Sequence, residues 1–124
     1  MKSVCLTLAL CLPFAASAQE PNPWEGKWKV AFKTERGAER DGTVIVAGTG
    51  GSWDLSVAQR NDPCVGRAYP IEVQKATAEE LVFKVARSTT LAGCQDNTMR
   101  LKPTDANTLE GTFQTRPFKM TKSN

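Results

Sequence analysis

The chain has 124 residues, with 16 Lys and Arg against 13 Asp and Glu, a net charge of +3 and no histidine. That size suits one domain and is too short for two. The near balance of interspersed signs offers no basic stripe for nucleic acid and no polybasic cluster for a membrane surface, while the lack of histidine removes the usual general base, the Ser-His and Cys-His nucleophile pairs and the commonest zinc ligand.

Residues 1–18 read as an export signal. Lys2 supplies the positive n-region, Val4 to Ala16 the apolar core, and Ala16-Ser17-Ala18 the small-residue cleavage pattern, so cleavage is expected before Gln19. A membrane anchor is the other reading, but an apolar run of about thirteen residues falls short of the roughly twenty a spanning helix needs. Leu8-Ala9-Leu10-Cys11 vaguely resembles a lipobox, yet Leu10 is too large for the position before a lipid-bearing cysteine and Cys11 lies inside the apolar core. The expected location is periplasmic or secreted. Cys64 and Cys94 are then the only cysteines of the exported chain, and an oxidising compartment favours a bridge between them.

Residues 19–23, polar and holding two prolines, read as a disordered lead, and residues 24–124 as the folded domain. From Trp24 the period is two: Trp24, Gly26, Trp28, Val30 and Phe32 share one face, which predicts a half-buried first strand. Thr34 to Gly42 is charged and predicted to be a loop. Thr43 to Ala47 is the second strand, Gly48-Thr49-Gly50-Gly51 a tight turn, and Trp53, Leu55 and Val57 mark the third. After a loop carrying Cys64, Ile71 and Val73 mark strand four, and Leu81, Phe83 and Val85 mark strand five, which runs to Arg87. A loop from Ser88 to Asp96 carries Cys94. Met99 and Leu101 mark strand six, with Pro103 to Asn107 as its turn; Leu109, Gly111 and Phe113 mark strand seven, and Phe118 and Met120 the last strand. No apolar pattern at three and four persists over ten positions, so no long helix is predicted.

The fold class that follows is all-β: a small antiparallel up-and-down barrel of about eight short strands with one disulfide, a β-sandwich being the alternative. In an up-and-down order the loops after strands one, three, five and seven share an end. Cys64 and Cys94 then fall at that same end, as a disulfide requires Cα atoms within about 7 Å. The long connections gather there too, so this end reads as open and the other as closed. Mouths of small barrels are where ligands usually enter. Arg60, Arg67, Arg87 and Arg100, with Trp53, are the candidate ligand-binding residues, in a mouth whose arginines could receive an anionic group. A solvated rim of scattered ion pairs is the plainer reading. Trp28, Trp53, Phe83 and Phe113 would line any interior cavity, although eight short strands can be filled by their own side chains.

Trp24-Glu25-Gly26-Lys27-Trp28, Gly51-Ser52-Trp53-Asp54-Leu55 and Leu109-Glu110-Gly111-Thr112-Phe113 resemble the Gly-x-Trp starts and Leu-x-Gly-x-Phe strands of lipocalin-like and avidin-like small barrels. The chain is also similar to short exported proteins of Gram-negative bacteria whose function is uncharacterised, and to single-disulfide periplasmic inhibitors of lysozyme or secreted proteases. No inhibitory loop motif of those families carries over. The resemblance implies a barrel fold and an extracytoplasmic location.

Three functions remain. The first is a non-enzymatic binding module that takes a small molecule or an envelope component at the open end. The second is a protein-protein device such as a hydrolase inhibitor, and the third a histidine-free enzyme, for which no converging carboxylates are seen. Glu79-Glu80 sits in a turn where neighbours point apart, and Gly48-Thr49-Gly50-Gly51 lacks the lysine and helix of a phosphate loop. The expectation is therefore a monomeric binding protein with no catalytic residue, metal or cofactor, no nucleic-acid partner and no membrane span, whose partner is a small-molecule ligand or an extracytoplasmic protein.

Overall fold

The computed structural model describes residues 22–33, 37–55, 63–113 and 115–123, so the expected export signal lies outside the described residues. Eight strands follow in order: β1 (Gly26–Lys33), β2 (Glu39–Ala47), β3 (Gly50–Leu55), β4 (Tyr69–Ala76), β5 (Leu81–Val85), β6 (Asn97–Asp105), β7 (Thr108–Phe113) and β8 (Arg116–Lys122), with a short helix α1 (Arg87–Thr90) after β5. Each strand pairs antiparallel with the next, and β8 returns to β1 through Trp28↔Lys122, Val30↔Met120 and Phe32↔Phe118. The sheet is closed. The up-and-down barrel is therefore observed rather than a sandwich, since closure leaves no edge strand.

Alternation carries this outcome. Trp28, Val30, Val44, Val46, Trp53, Ile71, Phe83, Val85, Met99, Leu101, Leu109, Phe118 and Met120 point inward and are buried, while Lys27, Lys29, Glu72, Arg100, Glu110 and Lys119 between them are exposed. Among the described residues no helix is long and apolar enough to cross a membrane. Rings from opposite walls meet in the middle. Trp53 of β3 stacks on Phe118 of β8 with centroids 5.4 Å apart and also lies 5.8 Å from Phe113 and 5.9 Å from Phe83. At that level the interior is filled by the protein's own side chains.

Several boundaries differ from the sequence reading, each for a local reason. β2 begins at Glu39, not Thr43, because Glu39 and Asp41 take outward positions that tolerate charge. Inward Gly42 lets Asp54 and Leu55 pass so close that a Cβ would meet the Asp54 carbonyl oxygen at 2.5 Å. The β2–β3 turn shrinks to Gly48 and Thr49, since Gly50 and Gly51 already pair with Ala47 and Val46. β6 runs through Pro103-Thr104-Asp105, which had the composition of a turn. Its register jumps from Pro103↔Leu109 to Asp105↔Thr108, and such a bulge is a place where a strand accommodates proline. A second bulge at Gln74 moves the inward phase of β4 from Val73 to Ala76. β5 stops at Val85, where the Ala86 amide turns to donate to the Pro70 carbonyl and α1 begins.

The closed end is plugged by Trp24, buried beneath the barrel. Its indole N–H donates to the Thr77 carbonyl at 2.7 Å, and its own carbonyl accepts the indole N–H of Trp28 at 2.9 Å. The lead, read as disordered through Pro23, is described from Asn22, whose amide donates to the Gly48 carbonyl at 2.8 Å. The β2–β3 and β4–β5 turns and the entering chain thus share one plug.

Gly51 gives a sharp test of the β2–β3 pairing. Its φ of +136° lies in the region side chains avoid, and a Cβ there would stand 1.9 Å from the Ile45 carbonyl oxygen, a backbone atom that cannot yield without breaking the ladder. Gly51→Ala is expected to cost at least about 2 kcal/mol, read as a lowered midpoint in urea unfolding; an unchanged midpoint would contradict the register.

Candidate functional site

The end opposite the Trp24 plug is assembled from residues 37–38, 63–68, 86–96 and 115. Two of its segments are tied by the disulfide between Cys64 and Cys94, with Cα atoms 5.6 Å apart and a separation of 30 positions in the chain. The expected bridge is present. Beside it the Tyr69 hydroxyl donates to the Cys64 carbonyl at 2.5 Å, which turns the tyrosine ring to the inner side of β4, next to Trp53 in register.

Arg87 takes the centre. The chain leaves β5 inward at Val85, and α1 sets the next inward-directed side chain over the rings below. The guanidinium carbon lies 5.5 Å from the Tyr69 ring centroid and 5.9 Å from that of Trp53. Its N–H groups also donate to the Asn97 side-chain oxygen and to the Gln95 carbonyl at 3.4 Å. A cation so placed is attracted by two ring faces and held in one orientation by fixed acceptors.

α1 itself is held from the other side of the loop. Asp96 accepts the Ser88 amide at 2.8 Å and the Ser88 hydroxyl at 2.9 Å, while Thr89 donates to the Ala86 carbonyl at 2.8 Å. The Ser88 amide is the first cause, and its hydroxyl the second, of an Asp96 carboxyl held below the usual carboxylate range. Away from this end, Lys75 pairs with Glu80 at 2.6 Å and Lys84 with Glu72 at 2.9 Å, both on the outer wall. The hydrogen bond from Lys75 lowers the Glu80 carboxyl, and that to Glu72 raises the Lys84 ammonium.

Of the candidate residues, the structure brings Arg87 and Trp53 together and adds Tyr69 and Asn97. Arg67 is exposed on the loop that carries Cys64, and Arg60 lies outside the described residues, as does Arg36. Arg100 was expected beside the mouth, and its placement is corrected. It pairs with Val82 between inward-facing Met99 and Leu101, so it stands on the outer wall, where its charge acts on Glu80 toward the closed end. Tyr69 went unread, and Arg116, which the sequence reading placed at the end of the turn before the last strand, instead opens β8; a signal for both was available, since Tyr69 is in phase with Ile71 and Val73, and Arg116 with Phe118 and Met120. Arg40 and Arg116 occupy inward-phase positions near this end, opposite Phe32 and Phe113 respectively, and both are half-buried.

Chemically, the arrangement presents one cation, Arg87, over the rings of Tyr69 and Trp53, with Arg40 and Arg116 at inward-phase positions of the same end. Among the described residues no three His, Cys, Asp or Glu side chains gather where a metal ion could sit. Comparison with known proteins returns no match among protein-family models, curated proteins or solved structures.

Two tests address the framework of this end. Because the folded Asp96 carboxyl sits below its unfolded value, its contribution is present above the ordinary carboxylate range and is lost as pH falls through the lowered value. Acidification is expected to release the Ser88 amide, followed by its NMR shift and exchange rate, before the barrel unfolds, and Asp96→Asn should abolish that pH-dependent step. Reducing the disulfide should destabilise the fold by roughly 3–4 kcal/mol on the chain-entropy account, seen as a fall in melting temperature on adding a reductant.

Proposed function

We propose that the chain is a non-enzymatic extracytoplasmic binding protein, periplasmic or secreted, that uses its open end as a lipocalin-like barrel uses its mouth. Its ligand is a small molecule or an envelope component. One observation carries this reading: Arg87, a half-buried cation, is oriented over Tyr69 and Trp53 at the one end not closed by Trp24. Orienting an arginine in this way prepares a binding group before the ligand arrives, which reduces the ordering cost of association. Because the rings of Trp53, Phe113 and Phe118 fill the middle of the barrel, the ligand rests on the rim and does not enter deeply.

The filled interior also favours a second reading, a protein-protein device such as a hydrolase inhibitor, in which the disulfide-tied loops form the contact surface. Neither reading assigns a catalytic residue, a metal or a cofactor.

The test is native mass spectrometry of the protein purified from its own exporting cell, before and after denaturation. An added mass that disappears on denaturation, and that Arg87→Gln no longer retains, is the expected result. A bare mature chain that instead captures a hydrolase from the envelope and lowers its activity would replace this reading with the second.

A further inference from the structure

The inward side of a closed β-barrel is where a cation is least expected, because a charge there must be desolvated or compensated. In the body of this barrel the rule holds: the inward positions of β2 are Gly42, Val44 and Val46, and those of β8 are Phe118 and Met120, with Lys122 following at the closed end over the Trp28 ring. At the open end it is broken on both strands. The next inward-phase position of β2 is Arg40 and that of β8 is Arg116, and α1 adds Arg87.

The three arginines are linked through a single layer of rings. Arg87 lies over Trp53; Trp53 is 5.8 Å from Phe113, the register partner of Arg116; and Phe113 is 5.5 Å from Phe32, the register partner of Arg40. Arg87 thus lies over the layer itself, whereas Arg40 and Arg116 stand beside it in strand register, the Arg40 guanidinium donating to the Glu39 carbonyl at 3.0 Å. The acids of the same strands are turned elsewhere. Glu39 and Asp41 alternate outward on β2, and Asp96 is engaged with Ser88. Phe32 and Leu55, both half-buried inward-facing residues of this end, leave apolar surface among the cations.

We propose that Arg40, Arg87 and Arg116 form an anion-receiving rim around this layer, and that the ligand of the open end is an amphipathic oxyanion. Its apolar body lies on Phe32 and Leu55, and its carboxylate, sulfonate or phosphate group pairs with the arginine forks. This deepens the reading that the open end binds a ligand, and rests on it. A guanidinium matches such oxyanions with two parallel hydrogen bonds. A fully inorganic anion would leave the apolar floor unused, and an uncharged amphiphile would leave the arginines without an added partner in the complex.

The test uses the full oxidised protein and two dyes of similar shape, 8-anilinonaphthalene-1-sulfonate and the uncharged N-phenyl-1-naphthylamine. Saturable binding of the sulfonate is expected, much tighter than that of the neutral dye and weakened by salt. The double variant Arg40→Gln, Arg116→Gln should bind it at least about tenfold more weakly, while Arg100→Gln, on the outer wall, should bind it as the parent does. If the double variant fails to fold, each single variant and the salt dependence of the parent give the same reading.

Displacement by dodecyl phosphate and not by benzoate would identify a lipid headgroup source, and the reverse a small aromatic acid; displacement by neither overturns the oxyanion class. Equal affinity for both dyes, with no effect of the arginine variants, would overturn the inference and leave binding at the open end standing, provided the dye shifts the amides of Phe32 and Asn97. Absence of any binding also overturns the inference, and the native mass measurement then decides separately whether the end binds anything.

Discussion

Trp53 touches Phe118 across the barrel with nearly parallel rings, 9° apart, and this contact between opposite walls sets what the rest of the molecule can do. Eight short strands enclose a narrow space, and here aromatic side chains from β3, β5, β7 and β8 occupy it together. Burial of those rings is the largest apolar contribution available to so small a domain. It also fills the barrel with side chains at the level of Trp53.

The ends are built differently. At the closed end, Trp24 and Asn22 form direct hydrogen bonds that tie the entering chain to the carbonyls of two turns. At the other end two loops are tied by a covalent bridge, and side-chain anchors such as Asp96 on Ser88 hold the backbone. A disulfide suits this task, because it restricts two loops while demanding no apolar cover over them. Above the buried rings there, Arg87 is held in one orientation over Trp53 and Tyr69.

Much of this was legible in the residues. The period of two in Trp28, Val30 and Phe32, the parity of the loops that carry Cys64 and Cys94, and the interior direction of Trp53 and Phe83 all emerge intact in the barrel. The errors cluster where alternation is interrupted or where composition imitates a loop. Bulges at Gln74 and Thr104 are invisible to a period count because one residue slips out of phase without any change in residue type. Glu39 to Gly42 looks like a loop because its outward residues are charged, yet charge on the outer wall is compatible with a strand. Arg100 was assigned by nearness in the chain to a mouth loop. The phase set by Met99 and Leu101 turns it outward, and phase rather than proximity decides which wall a residue faces.

The same rule explains why Arg116 is informative although it sits beside a turn. A residue in a turn owes nothing to the interior, and an arginine there is ordinary. Arg116, however, is the first residue of β8 and pairs with Phe113, so its side chain continues the line of Phe118 and Met120 toward the opening. Arg40 stands in the equivalent relation to Val44 and Val46. Two strands on either side of β1 thus pass from apolar to cationic within the last inward step before the opening. A transition repeated on separate strands, beside a third arginine held over Trp53 and Tyr69, differs from a solvated rim, in which charges would fall on inward and outward phases alike. The separation of sign follows strand phase, with Glu39 and Asp41 outward and Arg40 inward on a single strand, and that pattern carries the functional argument.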